Sequence, residues 1–287
     1  MPFDTNRVPE RLIQAARDRV LVPLVGAGVS RQAGYDFPSW KGLLETVKVQ
    51  ALNEGRIPQG DVAEFERLIA EEPLMAAEAL RYILPTDEWF SLIQKQFQPE
   101  DSQPAEAHKE LISLNPPLIL TTNYDTLLED AYAEKYRRIP QVMSYKDAAA
   151  VQKHIQSGRF RSERPIIFKM HGTVGSEIVL SASDYRRLVS NEPGYRIVLS
   201  AIFVQQVVLM LGFSFSDPEL RLLLEEIRDS LKRQSPPDYI FLGTDEAGPV
   251  QERRLREDYG LQIIPYEPTP EHPELRELIK YLVEQTT

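Results

Sequence analysis

Apolar positions along this chain fall into two alternating textures. Short, nearly unbroken apolar runs appear at 20–25 (VLVPLV), 117–123 (PLILTTN), 165–172 (PIIFKMHG), 207–214 (VVLMLGFS), 238–243 (DYIFLG) and 261–266 (LQIIPY). Runs of this length without polar alternation are what strands covered on both faces look like. Between them the apolar residues recur at helical spacing. NRVPERLIQAARDR opens the chain with Pro9 tolerated in a first turn, and YDTLLEDAYAEKY, DPELRLLLEEIRDSLKRQ and the closing HPELRELIKYLVEQ follow later strands. Strands alternating with helices predict an α/β fold: a doubly wound, mostly parallel, Rossmann-like sheet with its working loops at the strand C-termini.

Residues 40–114 break the alternation. WKGLLETVKVQALNEG, DVAEFERLIAEE, LMAAEALRYIL, DEWFSLIQKQF and AEAHKELISL all carry helical spacing, punctuated by Pro58, Pro73, Pro85, Pro99 and Pro104. No strand pattern interrupts them. The expectation is a single domain, 1–287, with a sheet core at 18–39 and 115–287 and a helical insertion at 40–114. No internal repeat, coiled coil or low-complexity tract is present, and EPTPEHPE reads as a proline-rich connection.

Composition narrows the classes. The chain is 42% apolar and 9% aromatic, enough for a full core, so global disorder is excluded. Acidic residues outnumber basic ones 43 to 33, giving a formal net charge of −10, which argues against a broad nucleic-acid footprint. No apolar run approaches the roughly 20 residues that cross a bilayer. The start, MPFDTNRVPERLIQ, lacks a secretory pattern, so a cytoplasmic protein away from membranes is expected. The absence of cysteine excludes disulfides, a thiolate nucleophile and a cysteine-based zinc site.

Candidate chemistry clusters at the strand ends. After the first strand come Gly26-Ala27-Gly28-Val29-Ser30, where glycines let backbone approach a phosphate. The next glycine is Gly34, so G-x-G-x-x-G is not met, and a ligand-free turn fits as well as a phosphate site. TTNYD at 121–125 places Asn123 and Asp125 at the crevice, although helix capping would explain either one. His171 and Gly172 end the next strand, whereas His108, His154 and His272 read as surface residues without metal-ligand spacing. In LGFSFSDPEL, Ser216 or Asp217 with Pro218 makes a helix start, leaving Gly212 and Ser214 freer for a ligand. Four such strand ends in one sheet favour a nucleotide site in the crevice.

In this order, G-A-G-x-S, T-x-N-x-D, H-G and G-x-S resemble the sirtuin family. TTNYDTLLEDAY, KMHG and LGFSFSDPELR are more closely similar to the sirtuin-like effector domains of bacterial antiphage defence, over residues 20–245. The resemblance implies NAD+ as substrate. Gly26, Ala27, Gly28 and Ser30 would then contact phosphates and ribose, and Asn123 and Asp125 would flank the nicotinamide ribose. His171 would be the catalytic base, and Gly212 and Ser214 would lie on the ribose and adenine side. Thr122 takes the glutamine position of the family's usual T-Q-N-x-D and joins the cofactor-binding set. A helical insertion stands where sirtuin deacylases carry a four-cysteine zinc module, so no metal is expected. Both departures point away from protein deacylation and toward an NAD+ glycohydrolase acting as a toxic effector in abortive infection. An NAD+-dependent deacylase and a non-catalytic NAD+ or ADP-ribose binding module are the alternatives.

The residues suit that chemistry. Cleaving the nicotinamide–ribose bond develops positive charge on the sugar, as glycoside hydrolysis does. Asn123 can hold a water or a ribose hydroxyl, Asp125 can stabilise the developing charge, and His171 can take a proton from either donor. A constitutive hydrolase would kill its host. The resemblance therefore implies a homo-oligomer and a separate partner or sensor, either a HerA-type ATPase or an Argonaute-type protein.

Overall fold

The structure, a computed structural model, describes residues 3–34, 37–98, 101–157, 164–213, 215, 218–230, 236–269 and 272–286. Among the described residues seven strands form one sheet: β1 (Leu21–Val25), β2 (Leu118–Thr121), β3 (Gln141–Ser144), β4 (Ile166–Lys169), β5 (Val207–Leu211), β6 (Asp238–Gly243) and β7 (Leu261–Tyr266). Their order is β3-β4-β2-β1-β5-β6-β7, and every pairing is parallel. The chain runs from β1 toward one edge and, after β4, crosses back to build the other. Connections leaving β1 and β5 therefore diverge, which opens a crevice at the C-terminal ends of these central strands.

β1, β2, β4 and β5 are buried along their whole length, as their unbroken apolar runs require. Alternation still assigns each residue a face: Val22 and Leu24 join one apolar cluster, Leu21 and Val25 the other. β3 is the strand that hydropathy does not reveal. It lies at the sheet edge with Gln141 and Val142 exposed, so burial places no apolar demand on it.

In chain order the helices are α1 (Glu10–Arg17), α2 (Ala27–Ser30), α3 (Trp40–Asn53), α4 (Val62–Glu71), α5 (Pro73–Ile83), α6 (Thr86–Phe97), α7 (Glu106–Ser113), α8 (Leu127–Tyr136), α9 (Ala148–Gln156), α10 (Ala182–Asn191), α11 (Pro193–Gln205), α12 (Pro218–Ser230), α13 (Pro249–Tyr259) and α14 (Pro273–Glu284). α1, α7, α8 and α14 bury residues such as Leu12, Leu111, Leu128 and Leu278 on one sheet face. α9 to α13 cover the other with residues such as Val151, Leu188, Leu199, Leu224 and Leu255.

Helices α3 to α6 make a core of their own around Leu43, Leu44, Leu80, Trp89 and Ile93. Leu127, Ile178 and Leu180, from beyond β2 and β4, complete it, so this module sits over the strand ends. α7 packs instead on the sheet, with Leu111 and Ile112 beside Ile119. Helical periodicity is the same in both settings, so hydropathy does not mark the change between α6 and α7. Among the described residues no helix is long and apolar enough to cross a membrane.

Candidate active site

The first wall of the crevice is backbone against backbone. Beyond β1, Gly26 N–H donates to Leu211 O and Gly28 N–H to Gly212 O, both at 2.9 Å. A Cβ on Gly26 would lie 2.5 Å from Gly212 O, and one on Gly28 would lie 2.8 Å from Gly212 Cα. Gly212 itself has φ +60°, and its Cβ would come within 2.5 Å of Val29 N. Contact between the β1–α2 loop and the end of β5 thus requires all three glycines before any ligand enters.

The second wall follows β2. Thr121 Oγ1 donates to Val25 O at 2.9 Å and accepts Asn123 N–H at 3.0 Å, turning the chain so that Asn123 reaches back toward β1. Asn123 Nδ2 donates to Gly26 O at 3.1 Å and to Ser30 Oγ at 2.9 Å. Ser30 Oγ in turn donates to Asp125 Oδ2 at 2.7 Å, and Asp125 Oδ1 accepts Leu127 N–H at 3.1 Å. Both amide protons of Asn123 are thereby committed, and among the described residues its carbonyl oxygen takes no hydrogen bond while the residue faces the cavity. Asp125 is 5% exposed with both carboxylate oxygens engaged, so it braces Ser30 and caps the start of α8 at once.

Beneath this wall lie charged groups. Lys169, fully buried on β4, donates to the main-chain oxygen of Asp125 and pairs with Glu129 at 3.1 Å. Burial pushes the Glu129 carboxyl upward, with Lys169 pulling it back. His108 of α7 also lies here. It is 1% exposed, so the expectation of a surface histidine is wrong. Burial drives its pKa down to about 4 against the pull of nearby Asp125, and Nδ1 accepts Ala105 N–H at 3.2 Å. The signal was its place in AEAHKELI, on the face of Ala107, Leu111 and Ile112.

The third wall is the turn after β4. Gly172 has φ +78°, and a Cβ there would lie 2.0 Å from Glu177 O, because the chain folds into a bridge between Gly172 and Ile178. Val179 N–H donates to His171 O at 2.9 Å, Tyr124 Oη donates to Val179 O at 2.6 Å, and Val174 N–H donates to Tyr124 O at 3.1 Å. The loops after β2 and β4 are thus laced together. His171 Nε2 lies 3.4 Å from Tyr185 Oη, and the two rings meet edge to face.

These walls enclose a cavity of about 300 Å³. Gly26, Ala27, Gly28, Ser30, Thr122, Asn123, Asp125, His171 and Gly212 all line it. Ser214, with Ser216 and Asp217, lies outside the described residues. At one end aromatic rings join the lining: Tyr124 of TTNYD, and Trp40, Phe97 and Tyr185, which no strand-end motif announces. They come from the helical module, from α10 and from the loop after β2. The other end carries Gly243, Glu246, Tyr266 and His272. His272 too is not a simple surface residue, since its Nδ1 lies 3.2 Å from Tyr266 Oη at the cavity edge; His154 is half-buried on α9. Among the described residues no group of three or more histidine, cysteine, aspartate or glutamate side chains is placed to hold a metal ion. The cavity brings together aromatic rings, an amide oxygen and an imidazole, and extends to residues at the ends of β6 and β7.

The profile of the SIR2-like domain family matches residues 117–264, which span the loops of Asn123, His171 and Gly212. The chain belongs to the SIR2-like domain family. Its curated relatives include the defense-associated sirtuin 2 of Bacillus subtilis, 25% identical over 271 residues, covering 91% of this chain and 25% of the relative. The NAD(+) hydrolase ThsA of Bacillus cereus (strain MSX-D12) is 27% identical over 226 residues, covering 78% of this chain and 43% of the relative. This SIR2-like chain thus spans less than half the length of either. Among solved structures, that of a Sir2 homolog–NAD complex aligns with a TM-score of 0.46 at 15% identity, covering 98% of this chain and 96% of the other.

Proposed function

We propose that the chain is an NAD+ glycohydrolase, adding water across the nicotinamide–ribose bond to give nicotinamide and ADP-ribose. The carrying observation is that Asn123 and His171, from neighbouring strands, line one cavity whose adjoining end is aromatic. The relatives named as NAD(+) hydrolases support the same reading.

In this mechanism the nicotinamide ring enters the aromatic end. Positive charge develops on the ribose as the bond lengthens. The free carbonyl oxygen of Asn123 holds the attacking water or a ribose hydroxyl, with its pose fixed by Ser30 and Gly26. Asp125 acts through Ser30, and its negative charge, close to the site, favours the cationic transition state. His171 takes the proton. The glycine walls and Thr122 border the ribose and phosphates, Gly212 borders the adenine side, and no metal takes part.

As a toxic effector of antiphage defence the protein would act on cytoplasmic NAD+, which requires restraint in the uninfected cell. The reading therefore includes a homo-oligomer whose cleavage rises on assembly or on engagement of a partner, a HerA-type ATPase or an Argonaute-type protein. Nicotinamide release, followed by chromatography over a range of protein concentrations alongside light scattering, tests it. Release without any acylated peptide, rising with assembly, is expected. Release that depends on an acylated peptide would instead favour a deacylase, and none at any concentration or with either partner would leave a binding module.

A further inference from the structure

His171 is held by a side chain that no strand-end motif contains. Tyr185, on the first turn of α10, is largely buried, places its hydroxyl 3.4 Å from His171 Nε2 and sets its ring edge to face against the imidazole at 5.4 Å. Its other side stacks on Trp40 of α3 at 6.4 Å and 24°. The tyrosine is therefore sandwiched between the imidazole and the helical module.

The module also grips the start of α10 directly. Glu78 of α5 accepts Ser183 N–H at 2.9 Å, one turn further along Arg81 donates to Asp184 at 2.7 Å, and Asp184 closes a capping box with Ser181. Burial would raise the Glu78 carboxyl, but hydrogen bonds with Tyr82, Ser183 and Ser181 hold it down to about 2, and Asp184 is likewise held below the usual carboxylate range. Both stay ionised, so the clamp persists at neutral pH. Ser183, Asp184 and Tyr185 are consecutive. A shift of α5 against the sheet would carry Tyr185 with it.

We propose that Tyr185 is a positioning residue for His171, and that the α3–α6 module sets its place through the N-terminus of α10. The proposal deepens the hydrolase reading and rests on it for the role of His171. It adds that this module, and whatever binds it, acts on the imidazole through Tyr185.

The Tyr185→Phe variant keeps the ring and loses the hydroxyl. Arg81→Met removes one jaw of the clamp, and Arg81 does not line the cavity. Nicotinamide release should show kcat down on the order of tenfold in Tyr185→Phe, with KM for NAD+ within about twofold of the parent. Arg81→Met should lower kcat by a smaller factor. The double variant should be no worse than Tyr185→Phe alone, because both act along one route. Independently of turnover, the side-chain NMR resonances of His171, assigned with His171→Gln, should move in both single variants. Additive losses of kcat, or losses confined to KM, would overturn the proposal. Were no variant and no parent protein to release nicotinamide, the hydrolase reading would fall, and the resonances alone would decide: movement in Arg81→Met supports the coupling, and none refutes it.

Discussion

The Ser30 hydroxyl donates to Asp125 Oδ2 at 2.7 Å, joining residues 95 positions apart. The same oxygen accepts an amide proton of Asn123. One hydroxyl thus fixes which way the amide faces and supplies a buried carboxylate with a donor. Ser30→Ala should leave Asn123 free to turn and Asp125 short of a hydrogen bond. A stability loss of about 1–3 kcal/mol is expected. NAD+ cleavage should fall on the order of 10- to 100-fold, since a misoriented amide no longer presents its oxygen. Thermal denaturation and nicotinamide release measure the two separately. Unchanged turnover would remove Ser30 from the positioning role.

Asn123→Ala and His171→Ala should each abolish cleavage. Their structural costs differ. Asn123 bonds Gly26 and Ser30, so its truncation should lower stability by about 1–2 kcal/mol. His171 meets Tyr185 at the cavity wall, and its loss should cost no more than that. Circular dichroism establishes the fold, and full nicotinamide release by either folded variant would end its catalytic assignment.

The parts legible in the sequence were those where one local constraint dominates. β1, β2, β4 and β5 are covered on both faces, so each needs an unbroken apolar run. Asn123, Asp125, His171 and Gly212 follow those strands directly, and a parallel sheet turns the ends of its strands into one crevice. Edge strand β3 stayed hidden because Gln141 and Val142 face solvent. Trp40, Tyr185 and His108 stayed hidden for a different reason. Each reaches the site region from a helix, and which helix covers which loop is decided by tertiary packing, not by spacing along the chain. Gly26 and Gly28 were legible as a turn but not in their main duty, because the partner they need room for, Gly212, follows the neighbouring strand β5 and is far away along the chain.

Two glycines with similar backbone angles should respond very differently to substitution. Gly34 has φ +77°, and a Cβ there would meet nothing within 4 Å, so Gly34→Ala carries only the left-handed backbone cost of about 1–2 kcal/mol. Gly212 has φ +60° and a methyl there meets Val29 N at 2.5 Å, which forces the β1–α2 loop off the end of β5. Gly212→Ala should therefore cost more than about 4 kcal/mol or yield little folded protein. Melting temperatures of the two variants within about a degree of each other would contradict the interlock.

The pH dependence of stability should carry two opposing contributions. Asp238 begins β6 and accepts Val208 N–H at 2.8 Å, while burial pushes its carboxyl up to about 7 and Arg11 and Arg228 pull it back. An unfolded aspartate titrates near pH ~3.9. Between those values the folded protein keeps a proton that the unfolded chain has released. The contribution is thus fully present below about pH 4 and is lost as pH rises through about 7. His108 works the other way. Its folded value of about 4 lies below the unfolded ~6.5, so in that window the unfolded chain binds the extra proton and stability rises with pH. The two slopes partly cancel in the parent protein, which is why a single variant is the informative probe. Asp238→Asn keeps an acceptor for Val208 and removes only the first contribution. Measured by urea denaturation from about pH 4.5 to about pH 8, the variant should gain on the parent steadily as pH rises, by on the order of 1–4 kcal/mol across the range. A difference between the two proteins that stays flat with pH would show that the Asp238 carboxyl is not held in its protonated form by the fold.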